Sequence, residues 1–252
     1  KVENLLGKDI YPELSKTTAQ VYTSLDYRHW DTWNDGTHNH VFFGAIGSET
    51  EKVLPPQVVG LIRQIPVFFV ENVRTARRFI SSLKLGVVIS DIQFIELTKD
   101  TPELDTKNQL ANLTGNVGVL SEAGCPGIAD PGAALVHLAH SQSIQVKPLV
   151  GPSSILLALI ASGFSGQRFT FNGYLPIREP ERGRKIKQLE NLAKSNFTQI
   201  FMETPFRNDT LLAEVIKQCN DDTLLSIACD LTLPTQYIKT KTIASWRKHK
   251  PE

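Results

Sequence analysis

The stretch Asn116–Gly132, NVGVLSEAGCPGIADPG, constrains the fold of this chain more than any other. Val117, Val119 and Leu120 form a short apolar run suited to a buried strand. Gly124-Cys-Pro-Gly127 and Asp130-Pro-Gly132 break it, and Ala133, Ala134, Leu135, Leu138 and Ala139 then recur with helical spacing. The sequence therefore predicts a strand, a Gly/Pro-rich loop and a helix, with Asp130 as N-cap and Pro131 at the first helical position. Three glycines let the backbone approach a ligand closely, and the helix start offers free N–H groups and a positive dipole end. At the carboxyl end of an open α/β sheet such a loop faces the ligand crevice. The alternative is a tight turn before a capped helix, with no ligand.

Glu122–Gly132 resembles the G-x-P-x-x-x-D-P-G signature of the tetrapyrrole-methylase superfamily, the class III S-adenosylmethionine-dependent methyltransferases. Four further stretches occur in the order of the branch that methylates a ribose 2′-hydroxyl in small-subunit ribosomal RNA. They are Val70–Arg78, Pro148–Ser153, Phe171–Pro176 and Glu203–Arg207, and Ala228-Cys-Asp-Leu-Thr232 follows. The resemblance covers about residues 45–252. It implies an α/β fold of two α/β domains with a cofactor cleft between them, here 45–150 and 151–252. It also implies S-adenosylmethionine as cofactor, small-subunit ribosomal RNA or the assembled subunit as partner, and a cytoplasmic homodimer. The implied cofactor residues are Ser121, Gly124, Pro126, Gly127, Ala129, Asp130, Pro131, Gly132, Gly151, Pro152 and Ser153, with Met202, Glu203, Ala228, Cys229 and Asp230 from the second domain. In that branch a further strand follows the last stretch, so an end at Pro251-Glu252 suggests a truncated C-terminus. A tetrapyrrole C-methyltransferase and a truncated or fused chain without catalysis are the two other readings.

A chain of 252 residues suffices for one large or two small domains. It has no run of 18 apolar residues, so no membrane span is expected. Cys125, Cys219 and Cys229 are widely spaced and form no C-x-x-C, which points to neither zinc nor a disulfide framework and makes a reducing compartment the default. His137 and His140 lie three apart on one predicted helix without a third ligand at suitable spacing, so no metal site is assigned; they are expected at the surface and in the core respectively. The net charge is +1. Residues 1–44 hold four Lys/Arg and six Asp/Glu, leaving 23 against 20 in the remainder, an excess too small to argue RNA binding.

Residues 1–44 read as a β-rich extension, either a foreign segment joined to the rest or a family-specific one. Tyr22, Tyr27, Trp30, Trp33, Phe42 and Phe43 crowd it, and Asn34-Asp-Gly36 suggests a tight turn. Lys1 to about Phe43 resembles a piece of the β-propeller of prolyl-oligopeptidase-family peptidases, but the chain has no G-x-S-x-G nucleophile elbow. Residues 41–47 are expected to form the first strand of the α/β part. Gly47-Ser-Glu49 departs there from the Pro- and Gly-containing loop of the methylase family.

Further along, Val67–Val70 predicts a buried strand leading into a helix whose Arg74 and Arg78 share a face. They suit RNA phosphates, and equally a solvated helix face. Val87–Ile89 or Gln93–Ile95 supplies a strand, and Thr101-Pro102 opens a polar helix. Ile144–Val150 is a strand ending in Gly151-Pro-Ser-Ser154, with Pro152 in the first turn of an apolar helix whose Leu157, Leu159 and Ile160 are expected in the core. Beyond it lie strands at Phe169–Tyr174, Phe197–Glu203 and Leu224–Cys229, with helices over about 180–193 and 208–219. Arg184 and Lys185 belong to the densest basic cluster, and Trp246-Arg-Lys-His-Lys250 joins an aromatic to basic residues. Each is either an RNA groove or, respectively, a solvated helix and a frayed tail. Methyl transfer to a ribose hydroxyl needs alignment and a base within hydrogen-bond reach. The candidate catalytic residues are Glu71, Arg74 and Glu203, with Asp130 better suited to capping and Glu203 to pairing with Arg207.

Overall fold

A computed structural model describes residues 40–45 (backbone only), 54–122, 124–129 and 131–249. Expectations for residues 1–39, for the Gly47–Glu49 loop, for Asp130 and for Lys250 lie outside these. The described residues belong to one compact unit, His38–Glu252.

Its first sheet has five parallel strands: β1 (His40–Ala45), β2 (Val67–Val70), β3 (Gln93–Glu96), β4 (Val117–Ser121) and β5 (Gln145–Lys147), in the order β3-β2-β4-β1-β5. β1 pairs with both β4 and β5, so the first strand expected over 41–47 stands in the sheet, and it begins within the span 1–44 that was also given to the extension. β3 settles the choice between Val87–Ile89 and Gln93–Ile95, and Ile89 instead begins a 3-10 turn. β5 stops at Lys147, short of the expected Val150.

The side chains of β2 divide between two cores because a strand alternates its faces. Phe68 and Val70 pack with Leu120 against α1 (Pro56–Ile62) and α2 (Val73–Ser82), through Val58, Ile62, Ala76, Phe79 and Ile80. Val67 and Phe69 pack with Val117 and Val119 against α3 (Glu103–Ala111) and α4 (Ala133–Ser141), through Leu110, Leu135 and Leu138. A strand covered on both faces must be apolar throughout, as Val-Phe-Phe-Val is. Between the buried layers, Gly118 of β4 has no room for a side chain. A Cβ there would stand 2.3 Å from Cδ1 of Phe68, a ring only 1% exposed.

The second half holds two separate pairs: β6 (Phe169–Tyr174) parallel to β7 (Thr198–Met202), and β8 (Leu224–Cys229) antiparallel to β9 (Tyr237–Thr242). α6 (Glu181–Ala193) and α7 (Asn208–Gln218) build a core of Leu175, Ile186, Leu189, Leu211, Val215 and Ile243. α5 (Ser154–Ser162) packs on β8 and β9, where the Thr240 hydroxyl donates to Ser162 O at 2.9 Å. Ile160 of α5 is 78% exposed and Leu157 half-buried, so of the three residues expected in the core only Leu159 is buried there.

Residues 243–248 form a helix, α8, and not a frayed tail. Trp246 is fully buried and its Nε1 donates to Leu225 O, so its ring cannot stack on a base. The Arg247 guanidinium donates to Ile216 O and Cys219 O and pairs with Asp221, which ties α8 to the end of α7. The buried Glu190 carboxylate accepts from Asn220 N and Thr223 Oγ1, both at 2.6 Å. Burial alone would raise its pKa. The hydrogen bonds from Thr223 and Asn220, together with the charge of Lys194, outweigh that and hold it below the ordinary value.

Two outcomes follow from this packing. Gly118→Ala should destabilise the unit by about 1–3 kcal/mol, read from denaturant midpoints, because neither β4 nor the enclosed Phe68 ring can yield. Glu190 has a depressed folded pKa, so its contribution is present above the ordinary value of 4.5 and is lost as pH falls through the folded pKa. Glu190→Gln should therefore be less stable than the parent at neutral pH, with the gap closing on acidification. A gap constant from pH 7 to the acid limit would remove this carboxylate from the pH response.

Candidate active site at the sheet edge

The carboxyl ends of the central strands lie level, with Ala45 opposite Ser121 and Val70 opposite Leu120. From β2 the chain passes to β3 on one side; from β4 it passes to β5 on the other. Connections that part in opposite directions leave a crevice between the two strand ends. Glu71 follows β2 and Glu122 follows β4, and Glu71 Oε2 accepts from Glu122 N at 3.2 Å across that crevice.

The loop after β4 folds on itself. Gly124, Gly127, Ala129 and Gly132 all have positive φ, at 71°, 81°, 65° and 136°. Gly127 N donates to Pro131 O at 3.2 Å, and Ile128 N donates to Cys125 O at 3.0 Å. A Cβ on Gly132 would come within 3.0 Å of Gly127 N, so the turn closes only with glycine there. Helix α4 starts at Ala133 with Gly132 at its cap position, two residues later than the Asp130 cap and Pro131 first turn predicted. The reason is local: the Pro131 carbonyl is held by Gly127 and stays within the loop. Such a turn presents mostly backbone polar groups, the donor and acceptor set that an adenosine edge and ribose hydroxyls require.

The second junction faces the first. Cys125 Sγ donates to Pro152 O at 3.5 Å, joining the two loops. Ser153 caps α5, its hydroxyl accepting from Leu156 N. Pro152 accordingly precedes the cap, whereas the sequence placed it in the first helical turn. A Cβ at Gly151 would meet nothing within 4 Å, so the packing of the protein itself does not require glycine at that position.

The candidates from the second half form a separate group. Met202, Glu203, Ala228, Cys229 and Asp230 line a cavity of about 1450 Å³ that also reaches Ser154 and Ile155 at the start of α5. The loop over 121–132 and Gly151–Ser153 do not line it. Glu203 is engaged: its Oε1 accepts from Arg207 Nη2 and Thr204 N. Asp230, itself at positive φ, accepts from the Thr235 hydroxyl at 2.8 Å. Burial, and then the charge of Asp230, raise the Cys229 thiol pKa above the ordinary range.

Of the residues proposed for RNA, Arg74 and Arg78 are exposed on α2, Arg184 is exposed on α6 and Lys185 is half-buried there. The neighbouring Arg77 lies over the Phe94 ring at 5.5 Å. His137 and His140 are both exposed, so His140 is not a core residue. The described residues contain no group of three His, Cys or carboxylate side chains that could hold a metal, and no helix long and apolar enough to cross a membrane. Phe171 and Leu231, from two of the stretches that carry the resemblance, line the cavity too, and so do Thr235 and Tyr237, which the sequence did not single out. The alternation Tyr237-Ile-Lys-Thr-Lys-Thr242 was the signal available for the last of these, since it marks β9.

The sequence profile of the tetrapyrrole (corrin/porphyrin) methylases matches residues 41–246. The chain belongs to this family. Among curated relatives, a protein named ribosomal RNA small subunit methyltransferase I from Mesorhizobium japonicum is 34% identical over 134 residues, 53% of this chain and 45% of that protein. Its namesake from Synechocystis is 28% identical over 181 residues, 71% and 62% of the two chains. The chain thus spans about half the length of the first of these. Among solved structures, uroporphyrin-III C-methyltransferase from Thermus thermophilus, complexed with S-adenosylhomocysteine, superposes with a TM-score of 0.51 at 13% identity, over 85% of this chain and 92% of that one. A cobalt precorrin-4 methyltransferase gives 0.53 at 15% identity, over 83% and 87%. At these identities the structures show the fold, an α/β one.

The loop after β4 can be tested directly. Gly127 adopts a φ that a branched side chain resists, and its amide holds the turn. Gly127→Leu should abolish S-adenosylmethionine binding in calorimetry while the thermal transition persists. Unchanged affinity would take the loop out of the site.

Proposed function

We propose that this protein is an S-adenosylmethionine-dependent methyltransferase acting on a ribose 2′-hydroxyl of small-subunit ribosomal RNA. The observation that carries this is the likeness to relatives named for small-subunit ribosomal RNA, in a chain of the methylase family. The geometry supports it: two strand–loop–helix junctions meet at the carboxyl edge of a parallel sheet, joined through Cys125 and Pro152.

When bound, S-adenosylmethionine supplies a methyl group on a sulfonium already activated for displacement. The residues of the chain then have four tasks. The Gly124–Gly132 turn and Gly151–Ser153 hold the donor by backbone groups and fix its direction, which is where alignment lowers the barrier. Met202 and Ala228–Asp230 shield it from the second half. Glu71 stands at the crevice and suits removal of the hydroxyl proton, whereas Glu203 is committed to Arg207 and Thr204. Arg74 and Arg78, four residues apart on α2, and Arg184 with Lys185 on α6 grip phosphates of the acceptor. The division of the unit into domains at about Gly151 belongs to the same reading, with the second half closing over the donor. So does a homodimer. Leu156 and Ile160 are 49% and 78% exposed on one face of α5, apolar area that suits a second copy, and a monomer at high concentration in sedimentation would count against it.

The test is transfer of tritium from labelled cofactor to small ribosomal subunits, set against transfer to a uroporphyrinogen-type macrocycle. Label is expected on ribose 2′-oxygens of the RNA. Label on the macrocycle alone would establish the tetrapyrrole reading, and no label together with no cofactor binding the non-catalytic one. Arg74→Ala with Arg78→Ala should weaken subunit binding and flatten its dependence on log salt by roughly one unit per lost contact, with cofactor affinity kept. Parent-like subunit affinity at every salt concentration would make these arginines a solvated face.

A further inference from the structure

The turn that joins β8 to β9 stands in a conformation that its sequence does not favour. Cys229 ends β8 opposite Tyr237 at the start of β9, and residues 230–236 connect them. Two residues of that turn have positive φ, Asp230 at 51° and Thr232 at 73°. Aspartate enters the left-handed region readily, because its short polar side chain bonds locally, and here the Asp230 carboxylate accepts from the Thr235 hydroxyl at 2.8 Å. Threonine does not enter it readily. Its branched Cβ crowds the following carbonyl, so Thr232 is strained and keeps this φ only because its surroundings hold it. Three bonds do so. Thr232 N donates to Gln236 Oε1 at 2.9 Å, Leu233 N donates to Asp230 O at 2.9 Å, and Gln236 N donates to Leu233 O at 3.0 Å. Of these three, the first alone depends on a side chain and holds the strained residue by its own amide.

The strain lies directly behind a wall of the site. Ala228, Cys229, Asp230 and Leu231 line the cavity, while Thr232 and Gln236 do not line it and are both exposed. Gln236 therefore holds the turn from outside, and the turn sets the direction in which Asp230 and the two residues before it face inward. Strained backbone concentrates at sites where its geometry is used. We infer that Gln236 is a positioning residue: by accepting from Thr232 N it clamps Thr232 in the left-handed region and keeps Ala228–Asp230 shaped as a wall for the methyl donor. This rests on the reading of Ala228–Asp230 as residues that hold S-adenosylmethionine. Without the clamp Thr232 relaxes toward negative φ, the wall has its binding shape for only part of the time, and apparent affinity falls by that fraction.

The full 252-residue chain serves for the test. Calorimetry gives the dissociation constant for S-adenosylhomocysteine, and amide hydrogen exchange at Leu233, whose N–H closes the turn on Asp230 O, is followed without ligand. Gln236→Ala should weaken binding roughly fivefold and speed Leu233 exchange by a similar factor, with the thermal transition kept. Glycine takes positive φ without strain, so a Thr232→Gly background needs no clamp. There the same Gln236→Ala change should cost less than about twofold in affinity, and Leu233 exchange should stay slow. Parent-like affinity of Gln236→Ala in the threonine background would overturn the proposal. An equal loss in both backgrounds would overturn it too, because Gln236 would then act without the strain. A parent chain that binds no S-adenosylhomocysteine would remove the donor wall and with it the positioning role, while Leu233 exchange would still show whether Gln236 holds the turn.

Discussion

The contact on which the first half depends is that of Gly118 with the Phe68 ring. β4 is the middle strand of the sheet and carries the loop of the candidate site at its end. Its register to β1 and to β2 sets the height at which Ser121, Ala45 and Val70 emerge. A sheet whose strands are buried on both faces leaves no solvent-facing side to absorb a misfit. The missing side chain at Gly118 lets Phe68 lie across β4, and the ring in turn fills the layer below α1 and α2. Glycine weakens an isolated strand, so its place here is explained by the space it leaves for another residue.

From that frame the site follows by short steps. Two strands whose connections part leave a crevice, and the turn at Gly127–Gly132 brings the chain back over it. The turn owes its shape to backbone conformations that only glycine takes cheaply, at Gly124, Gly127 and Gly132, with Ala129, among the described residues, the one bearing a Cβ at positive φ. Glu71 and Cys125 then tie this turn to its neighbours, one by a carboxylate to the main chain of Glu122 and the other by a thiol to Pro152 O. Both ties run between elements far apart in sequence.

What was legible in the sequence is what local rules govern. Val67–Val70 and Leu224–Cys229 were placed to the residue, since a continuous apolar run and a β-rich run of that length fit little else. The glycine positions of the turn were legible for the same reason. Misreadings arose where a particular hydrogen-bond partner, near or distant in sequence, decides. Asp130-Pro131 has the composition of a cap, yet the Gly127 amide claims the Pro131 carbonyl and the helix waits until Ala133. Trp246-Arg-Lys-His reads as a basic tail, yet the carbonyls at Leu225, Ile216 and Cys219 take its indole and guanidinium donors and make it part of the core. β9 was missed because Tyr237-Ile-Lys-Thr-Lys-Thr242 is largely polar and gains its strand form from β8. The grouping of the candidate site residues into a loop set and a cavity set is not visible in any spacing.

The two halves therefore differ in how they are held. The first closes its sheet with helices on both faces, and all four residues of β2 are buried. The second reaches comparable order through side-chain anchors: Glu190 on Asn220 and Thr223, Arg247 on two carbonyls, Trp246 under Lys241. Its strands stay half-buried beside an open cavity. Elements with fewer apolar contacts and more accessible backbone hydrogen bonds open at lower free energy. Local opening should accordingly begin at β7 and β8, beside Met202, Glu203 and Ala228–Asp230, and leave the loop after β4 in place.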